Sequence, residues 1–245
     1  MLEFHGETDI GKRRKLNEDT IFAADGLFIV CDGMGGHKAG EVASKLTTEV
    51  IANFVKRSAE DSELTWPYGF DPRLSYDANR LTTAIKLANR LVFRKSVSAD
   101  DYSGMGTTVV AVLVSPGRPE MTYGHVGDSR IYLIRGGAMT QLTRDDSWVN
   151  LASPDDTAVM KNVLTKALGA RESVEFEVVS KELQTDDVVL LCSDGLTNML
   201  PDAAILELVT AHKGDLKEAC RQLVAAANAQ GGRDNVSALL LRHLG

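Results

Sequence analysis

Leu27-Phe28-Ile29-Val30-Cys31-Asp32-Gly33 runs five apolar residues straight into a carboxylate and a glycine. A short continuous apolar run of this kind reads as a strand belonging to a core. Val188-Val189-Leu190-Leu191-Cys192-Ser193-Asp194-Gly195 repeats the arrangement, and Arg233-Asp234-Asn235 opens a third apolar stretch, Val236 to Leu241. Asn17-Glu18-Asp19 stands in the same way before a run that begins at Thr20. A carboxylate at the mouth of a core strand is costly to desolvate unless it has a hydrogen-bonded or cationic partner. No equally regular set of Lys or Arg accompanies these aspartates. The pattern therefore implies a metal site. Oxygen ligands suit magnesium or manganese, whereas zinc would recruit several His or Cys.

Outward from these runs, strands are predicted near 20–31, 107–114, 121–126, 130–135, 174–180, 187–192 and 236–242. Gly136-Gly137 marks a hairpin turn between Ile131 to Arg135 and Ala138 to Leu142. Val42, Leu46, Val50, Ile51, Phe54 and Val55 share one helical face after Gly40, and Leu81, Ile85, Ala88 and Val92 share another. Residues 202–211 and 215–229 also read as helices. The second has Asp215 as N-cap, Glu218 in the capping-box position and Gly231-Gly232 beyond its end. Strands in consecutive groups and helices in pairs argue against a parallel doubly wound sheet and for an α+β sandwich of antiparallel sheets covered by helices. No linker or repeat divides the chain, so residues 1–245 are expected to form a single domain. Glu60 to Tyr76, rich in aromatics and proline, reads as a loop packed by its own rings, with peptide docking as the alternative.

The chain has 245 residues, 44% of them hydrophobic, with 27 basic against 34 acidic side chains and a net charge of −7. That mixture builds a folded core and speaks against a nucleic-acid surface. Met1-Leu2-Glu3-Phe4-His5 lacks the features of a leader and no stretch approaches a bilayer span, so a cytoplasmic, membrane-free protein is expected. Cys31, Cys192 and Cys220 are odd in number, lack metal-ligand spacing and read as small core residues. Gly33-Met34-Gly35-Gly36 fits neither the dinucleotide fingerprint nor the phosphate loop.

In order along the chain stand Asp9-Ile10-Gly11, Arg14, Asn17-Glu18-Asp19, Asp32-Gly33-Met34-Gly35-Gly36-His37 with Gly40-Glu41, and Gly104-Met105-Gly106-Thr107-Thr108. They are followed by Gly127-Asp128-Ser129-Arg130, Leu142-Thr143, Asn162 to Gly169, Ser193-Asp194-Gly195-Leu196 and Gly232-Arg233-Asp234-Asn235. This succession resembles the metal-dependent protein phosphatases of the 2C family, in their compact bacterial form, over nearly the whole chain. The resemblance implies a four-layer sandwich, two central antiparallel β-sheets flanked by pairs of α-helices, with two Mn2+ or Mg2+ ions in a cleft at one end. Carried over by motif, Asp32 bridges both ions, the Gly33 carbonyl helps hold the second, and Asp194 and Asp234 hold the first. Glu18 and Asp19 act on the ions' water ligands, Asp128 joins Asp194 at a weaker third ion, and Arg14 binds phosphate. Arg13 is the alternative if the register of the basic run Lys12-Arg13-Arg14-Lys15 shifts. The implied activity is hydrolysis of phosphoserine and phosphothreonine in proteins by a monomeric enzyme, through a hydroxide shared between the ions, opposing a bacterial Ser/Thr kinase. Such chemistry needs no covalent phosphoenzyme, so the cysteines are dispensable to it.

Two departures from the family pattern stand out. Eukaryotic members place a His directly after Asp-Gly as general acid, where this chain has Met34, with His37 three residues on. Bacterial relatives usually carry Asp-His-Ser before a longer flap, where this chain has Asp145-Asp146-Ser147 and a shorter insert over 144–161. The short insert suggests that substrate discrimination moves to the loop over 60–76. Two other functions remain alongside: a catalytically dead phosphoprotein-binding module, disfavoured by intact Asp32, Asp194 and Asp234, and hydrolysis of small phosphoesters.

Overall fold

Side chains along β5 (Val109–Val114) divide by parity in the computed structural model, which describes residues 1–35, 39–61, 63–147 and 164–245. Val109, Ala111 and Leu113 pack towards helices, while Val110, Val112 and Val114 pack towards a second sheet. The two-residue period of a strand buried on both faces makes this division. β10 (Val188–Cys192) does the same from the other sheet, sending Val188, Leu190 and Cys192 to its own helices and Val189 and Leu191 inward.

One sheet has the order β1 (Leu2–Asp9), β11 (Val236–His243), β10, β7 (Arg130–Arg135) and β8 (Ala138–Gln141). The other has β2 (Asp19–Ala24), β3 (Leu27–Met34), β5, β6 (Glu120–Val126) and β9 (Val178–Glu182), with the short β4 (Gly106–Thr107) against the end of β3. Every pairing is antiparallel. α1 (Ala39–Glu60) and α2 (Tyr76–Ser96) cover the second sheet. The short α3 (Asp194–Thr197), α4 (Asp202–Ala211) and α5 (Leu216–Ala229) cover the first. The expected four-layer α+β sandwich is the observed one.

The run expected as one strand over 20–31 is a hairpin. Asp25 and Gly26 both take positive φ, 52° and 78°, the backbone of a two-residue turn that suits the twist of antiparallel strands. β1 was not anticipated because it is an edge strand whose side chains are mostly half-buried, so it shows no clean apolar alternation. Asp215 caps α5 by accepting from the Glu218 N–H at 3.0 Å, but the Glu218 carboxylate pairs with Arg221 and Gln222 instead of completing a capping box.

Trp66 packs edge-on to Phe54, Phe70 and Tyr76, so the loop after α1 is held by its own aromatics as expected. α1 spans 22 residues, about 33 Å at 1.5 Å per residue. Gly40, near the start of α1, touches Glu18, whereas the aromatic loop follows the other end of the helix. That loop leaves the end of α1 opposite to the one beside the acidic motifs, and its Tyr68 hydroxyl reaches back along α2 to donate to the Lys86 carbonyl at 3.3 Å.

The antiparallel registers gather the acidic motifs at one end. Asp19, first in β2, lies opposite Asp32 near the end of β3. The end of β10 meets the start of β11, with Cys192 opposite Ala238, which brings Asp194 beside Asp234. The turn between β6 and β7, which crosses from one sheet to the other, delivers Asp128 to the same edge.

Candidate functional site

A cleft of about 510 Å³ opens at this edge, lined by Arg14, Glu18, Asp32, Gly33, Asp128, Asp194 and Asp234 among others. Seven of the eight residues singled out from the sequence thus share one cavity. Asp19 stands behind it. Ser193 and Ser237 donate their hydroxyls to Asp19 Oδ2 at 2.8 and 2.6 Å, while Oδ1 is buried and has no partner among the described residues. Burial outweighs the two serines and pushes the Asp19 carboxyl up to about 7.

Asp32 is fixed through its backbone. Its N–H donates to Thr108 Oγ1 at 3.0 Å, and its carbonyl accepts from the Thr108 N–H and the Thr107 hydroxyl, both at 2.8 Å. Thr108 Oγ1 also shares a hydrogen bond with Ser129 Oγ at 2.7 Å, which ties the Asp32 strand to the turn carrying Asp128. Burial first, and then the charges of Asp19, Asp194, Asp234 and Asp128, hold the Asp32 carboxyl well above the usual carboxylate range. Asp128 is pushed up to about 7 by burial and by Asp194. Asp194 is raised by burial and by Asp234, although Asn198 donates to its Oδ2 at 3.0 Å. Glu18 is raised by burial, with Arg14 opposing.

Next to Asp32 the backbone approaches so closely that no side chain fits. A Cβ on Gly33 would fall 2.1 Å from the Gly40 carbonyl oxygen and 2.6 Å from that of Glu18. The residue must be glycine for the Glu18 loop and the start of α1 to close over the strand end.

Arg14 donates to Asp234 Oδ2 at 2.6 Å, and this bond raises the guanidinium further. The loop that carries Arg14 is anchored by Asn235, whose role was not anticipated. Its amide nitrogen donates to the carbonyls of Ile10 and Leu16, both at 2.9 Å, and its oxygen accepts the Glu18 N–H at 2.8 Å. The only signal in the sequence was its place after Asp234, because the partners of its side chain lie at the opposite end of the chain. Asn235→Leu keeps the volume but orphans three backbone groups. It is expected to cost about 2 kcal/mol and to lower Tm by roughly 4–8 °C. Calorimetry showing an unchanged Tm would contradict the anchoring role.

Five acidic and two basic side chains line the cleft, and no His or Cys lines it among the described residues. Oxygen donors in excess of cations, all from carboxylates and backbone, fit Mg2+ or Mn2+ and not zinc. The orphaned Asp19 oxygen points the same way, since a buried carboxylate oxygen without a donor is costly. Among the described residues no three His, Cys, Asp or Glu side chains already close around a common point in the geometry of a filled metal site. Arg14 and Asn198 take up Asp234 and Asp194 instead. The fit thus rests on donor chemistry and shared location.

His37 and most of the insert after Ser147 lie outside the described residues. The base of that insert is held by Arg130, which grips Asp145 with a two-pronged hydrogen bond, and by Lys166 at 3.1 Å from Asp146. Cys31, Cys192 and Cys220 are buried, and burial pushes each thiol up to about 12, so none is a nucleophile at neutral pH. Among the described residues no helix is long and apolar enough to cross a membrane.

A two-sheet sandwich with an oxygen-lined cleft at one end places the chain in the class of bacterial phosphatase structures. It is similar to the Mycobacterium tuberculosis serine/threonine phosphatase PstP/Ppp, with a TM-score of 0.84 and 30% identity over 100% of this chain and 99% of that one. It is also similar to the catalytic domain of PstP in complex with two manganese ions, with a TM-score of 0.81 and 31% identity over 100% and 99% of the two chains. The family model described as Protein phosphatase 2C matches residues 12–240, and the chain belongs to that family. The serine/threonine phosphatase stp of Listeria innocua is 36% identical, over 96% of this chain and 93% of its own.

Proposed function

We propose that this chain is a single-domain serine/threonine protein phosphatase that uses two divalent ions, manganese or magnesium, and opposes a Ser/Thr kinase. The observation that carries the reading is the convergence of Asp32, Asp128, Asp194, Asp234 and Glu18 on one cleft with Arg14 at its rim. The named relatives support the substrate class, and the PstP structure with two manganese ions supports the metal. Asp32 would serve both ions, the Gly33 carbonyl the second, and Asp194 and Asp234 the first. Glu18 and Asp19 would act on their water ligands, and Asp128 with Asp194 on a weaker third. When bound, such ions supply positive charge against a phosphate dianion and lower the pKa of water enough for it to attack phosphorus near neutral pH.

The chain's own part is binding and orientation. Arg14 presents a planar fork that matches two phosphate oxygens, and Asn235 fixes the loop that aims it. Met34 lines the cleft where eukaryotic relatives carry a histidine, so that position supplies no proton to the leaving alkoxide. Hydrolysis of a phosphothreonine peptide by metal-stripped protein, with Mn2+ or Mg2+ added back, tests the reading. Absence of metal-dependent turnover would leave a binding module, and turnover of a small aryl phosphate but no peptide would favour small esters.

Arg14→Lys is expected to raise KM for a phosphopeptide roughly tenfold or more, because a point charge loses one of two charge-assisted hydrogen bonds worth about 1.5–3 kcal/mol. Steady-state kinetics separate KM from kcat, and an unchanged KM would remove Arg14 from phosphate binding.

A further inference from the structure

Arg14 uses only one charge of the run Lys12-Arg13-Arg14-Lys15. Lys12, Arg13 and Lys15 are exposed, as is Arg233, which lines the cleft beside Asp234. Among the described residues none of these four side chains joins an ion pair, although ten such pairs form elsewhere and the molecule as a whole carries −7.

The four are held together by backbone. The Lys12 N–H donates to the Gly232 carbonyl at 2.7 Å, one residue before Arg233. Arg14 then bonds Asp234, and Asn235 staples Ile10, Leu16 and Glu18. The basic loop and the Arg233 turn are therefore sutured by five hydrogen bonds, and they form one rim around the phosphate-binding arginine. Gly232, at φ +49°, permits the contact, since a Cβ there would fall 2.9 Å from the Lys12 nitrogen.

A basic rim beside an acidic floor divides the work of the site. The floor takes cations, and the rim faces whatever surrounds the phosphate being removed. Exposed charges act over about 8–10 Å at physiological salt, which an extended peptide covers in about three residues. We propose that Lys12, Arg13, Lys15 and Arg233 select phosphorylated segments that carry a further anionic group, a carboxylate or a second phosphate, within about three residues of the scissile phosphoresidue. This rests on the phosphatase reading above.

The test uses three phosphothreonine peptides of equal length, with Ala, Glu or a second phosphothreonine at positions within three of the first. Turnover of the Ala peptide by the unaltered protein with Mn2+ establishes the underlying reading, and its absence would defeat that reading alone. The Glu peptide is expected to show kcat/KM about tenfold higher, from two or three exposed contacts each worth roughly two- to fivefold. The gain should lie in KM and collapse in 0.5 M NaCl, with kcat within about twofold. A preference shown only by the doubly phosphorylated peptide assigns a second phosphate as the group recognised.

In the variant with Lys12→Ala, Arg13→Ala, Lys15→Ala and Arg233→Ala the ratio between Glu and Ala peptides is expected to fall below about twofold. Arg233→Glu alone should favour a Lys-flanked peptide over the Glu-flanked one. Equal kcat/KM for all three peptides, or a preference that survives both variants, overturns the proposal. Sedimentation with anionic vesicles together with equal kcat/KM would reassign the rim to a lipid surface.

Discussion

Asp194→Ala is expected to abolish phosphopeptide hydrolysis while raising the Tm of metal-stripped protein. The two effects come from the same carboxylate. Asp194 lies half-buried at the junction of β10 and α3, with Asp234 and Asp32 as acidic neighbours, and desolvation and Asp234 both penalise its charge. Without metal the folded state bears this repulsion and the unfolded chain does not, so removing the group stabilises the fold. Its amide partner, Asn198, is exposed at that contact and turns to water when the bond is lost. A rise of roughly 2–4 °C corresponds to about 1 kcal/mol at this chain length. In activity the loss should exceed the ~10–100-fold that removal of an outer partner costs at a metal site, because on the proposed reading Asp194 would be a ligand itself. Parallel assays of turnover with Mn2+ and melting in chelator decide the matter. Retained turnover removes Asp194 from the site, and a large drop in Tm would show that the carboxylate is a structural group.

Much of this was legible because the informative residues sit at strand ends. An apolar run that stops at Asp gives both the strand and its mouth, and antiparallel registers such as Asp19 opposite Asp32 then bring distant motifs to one edge. The parity of β5 and β10 follows from the same runs, since a strand apolar at every position must be covered on both faces. What stayed hidden has two physical causes. β1 and the Asp25-Gly26 turn carry weak local signals, an edge strand with mixed exposure and a turn buried inside what looks like one apolar segment. Asn235, Ser193, Ser237 and Thr108 act through contacts between residues far apart in sequence, which no local pattern encodes. Asp19 illustrates the limit: its motif marked it as part of the site, but only the packing shows that it stands behind the cleft with one oxygen unpaired.

Metal-stripped protein is expected to lose stability as pH rises from about 4 to about 7, opposite to the usual behaviour of paired carboxylates. Asp19 and Asp128 are both raised from 3.8 to about 7, and Asp32, Asp194 and Glu18 are raised as well. Between the ordinary value and the raised one the folded chain binds more protons than the unfolded chain, so stability falls with pH through that window, and for Asp19 and Asp128 the loss is complete above about 7. Asp71, Asp186, Asp187 and Glu218 work in the other direction. Their values are lowered, chiefly by arginine partners for the exposed three and by Arg135 against burial for Asp187, so their contribution is present above the ordinary value and fades as pH falls below it. The two trends together move the stability maximum of metal-stripped protein to the acid side of neutral. Manganese should invert the profile. It binds deprotonated carboxylates and displaces their protons, so its stabilisation grows as the acidic floor ionises, reaching about 2.7 kcal/mol at a hundred times its Kd. Melting curves at pH 5, 6, 7 and 8, each in chelator and in Mn2+, should diverge steadily with pH. A flat profile in chelator would mean that the buried carboxylates keep ordinary proton affinities, and with it the electrostatic argument for a cation in this cleft would fall.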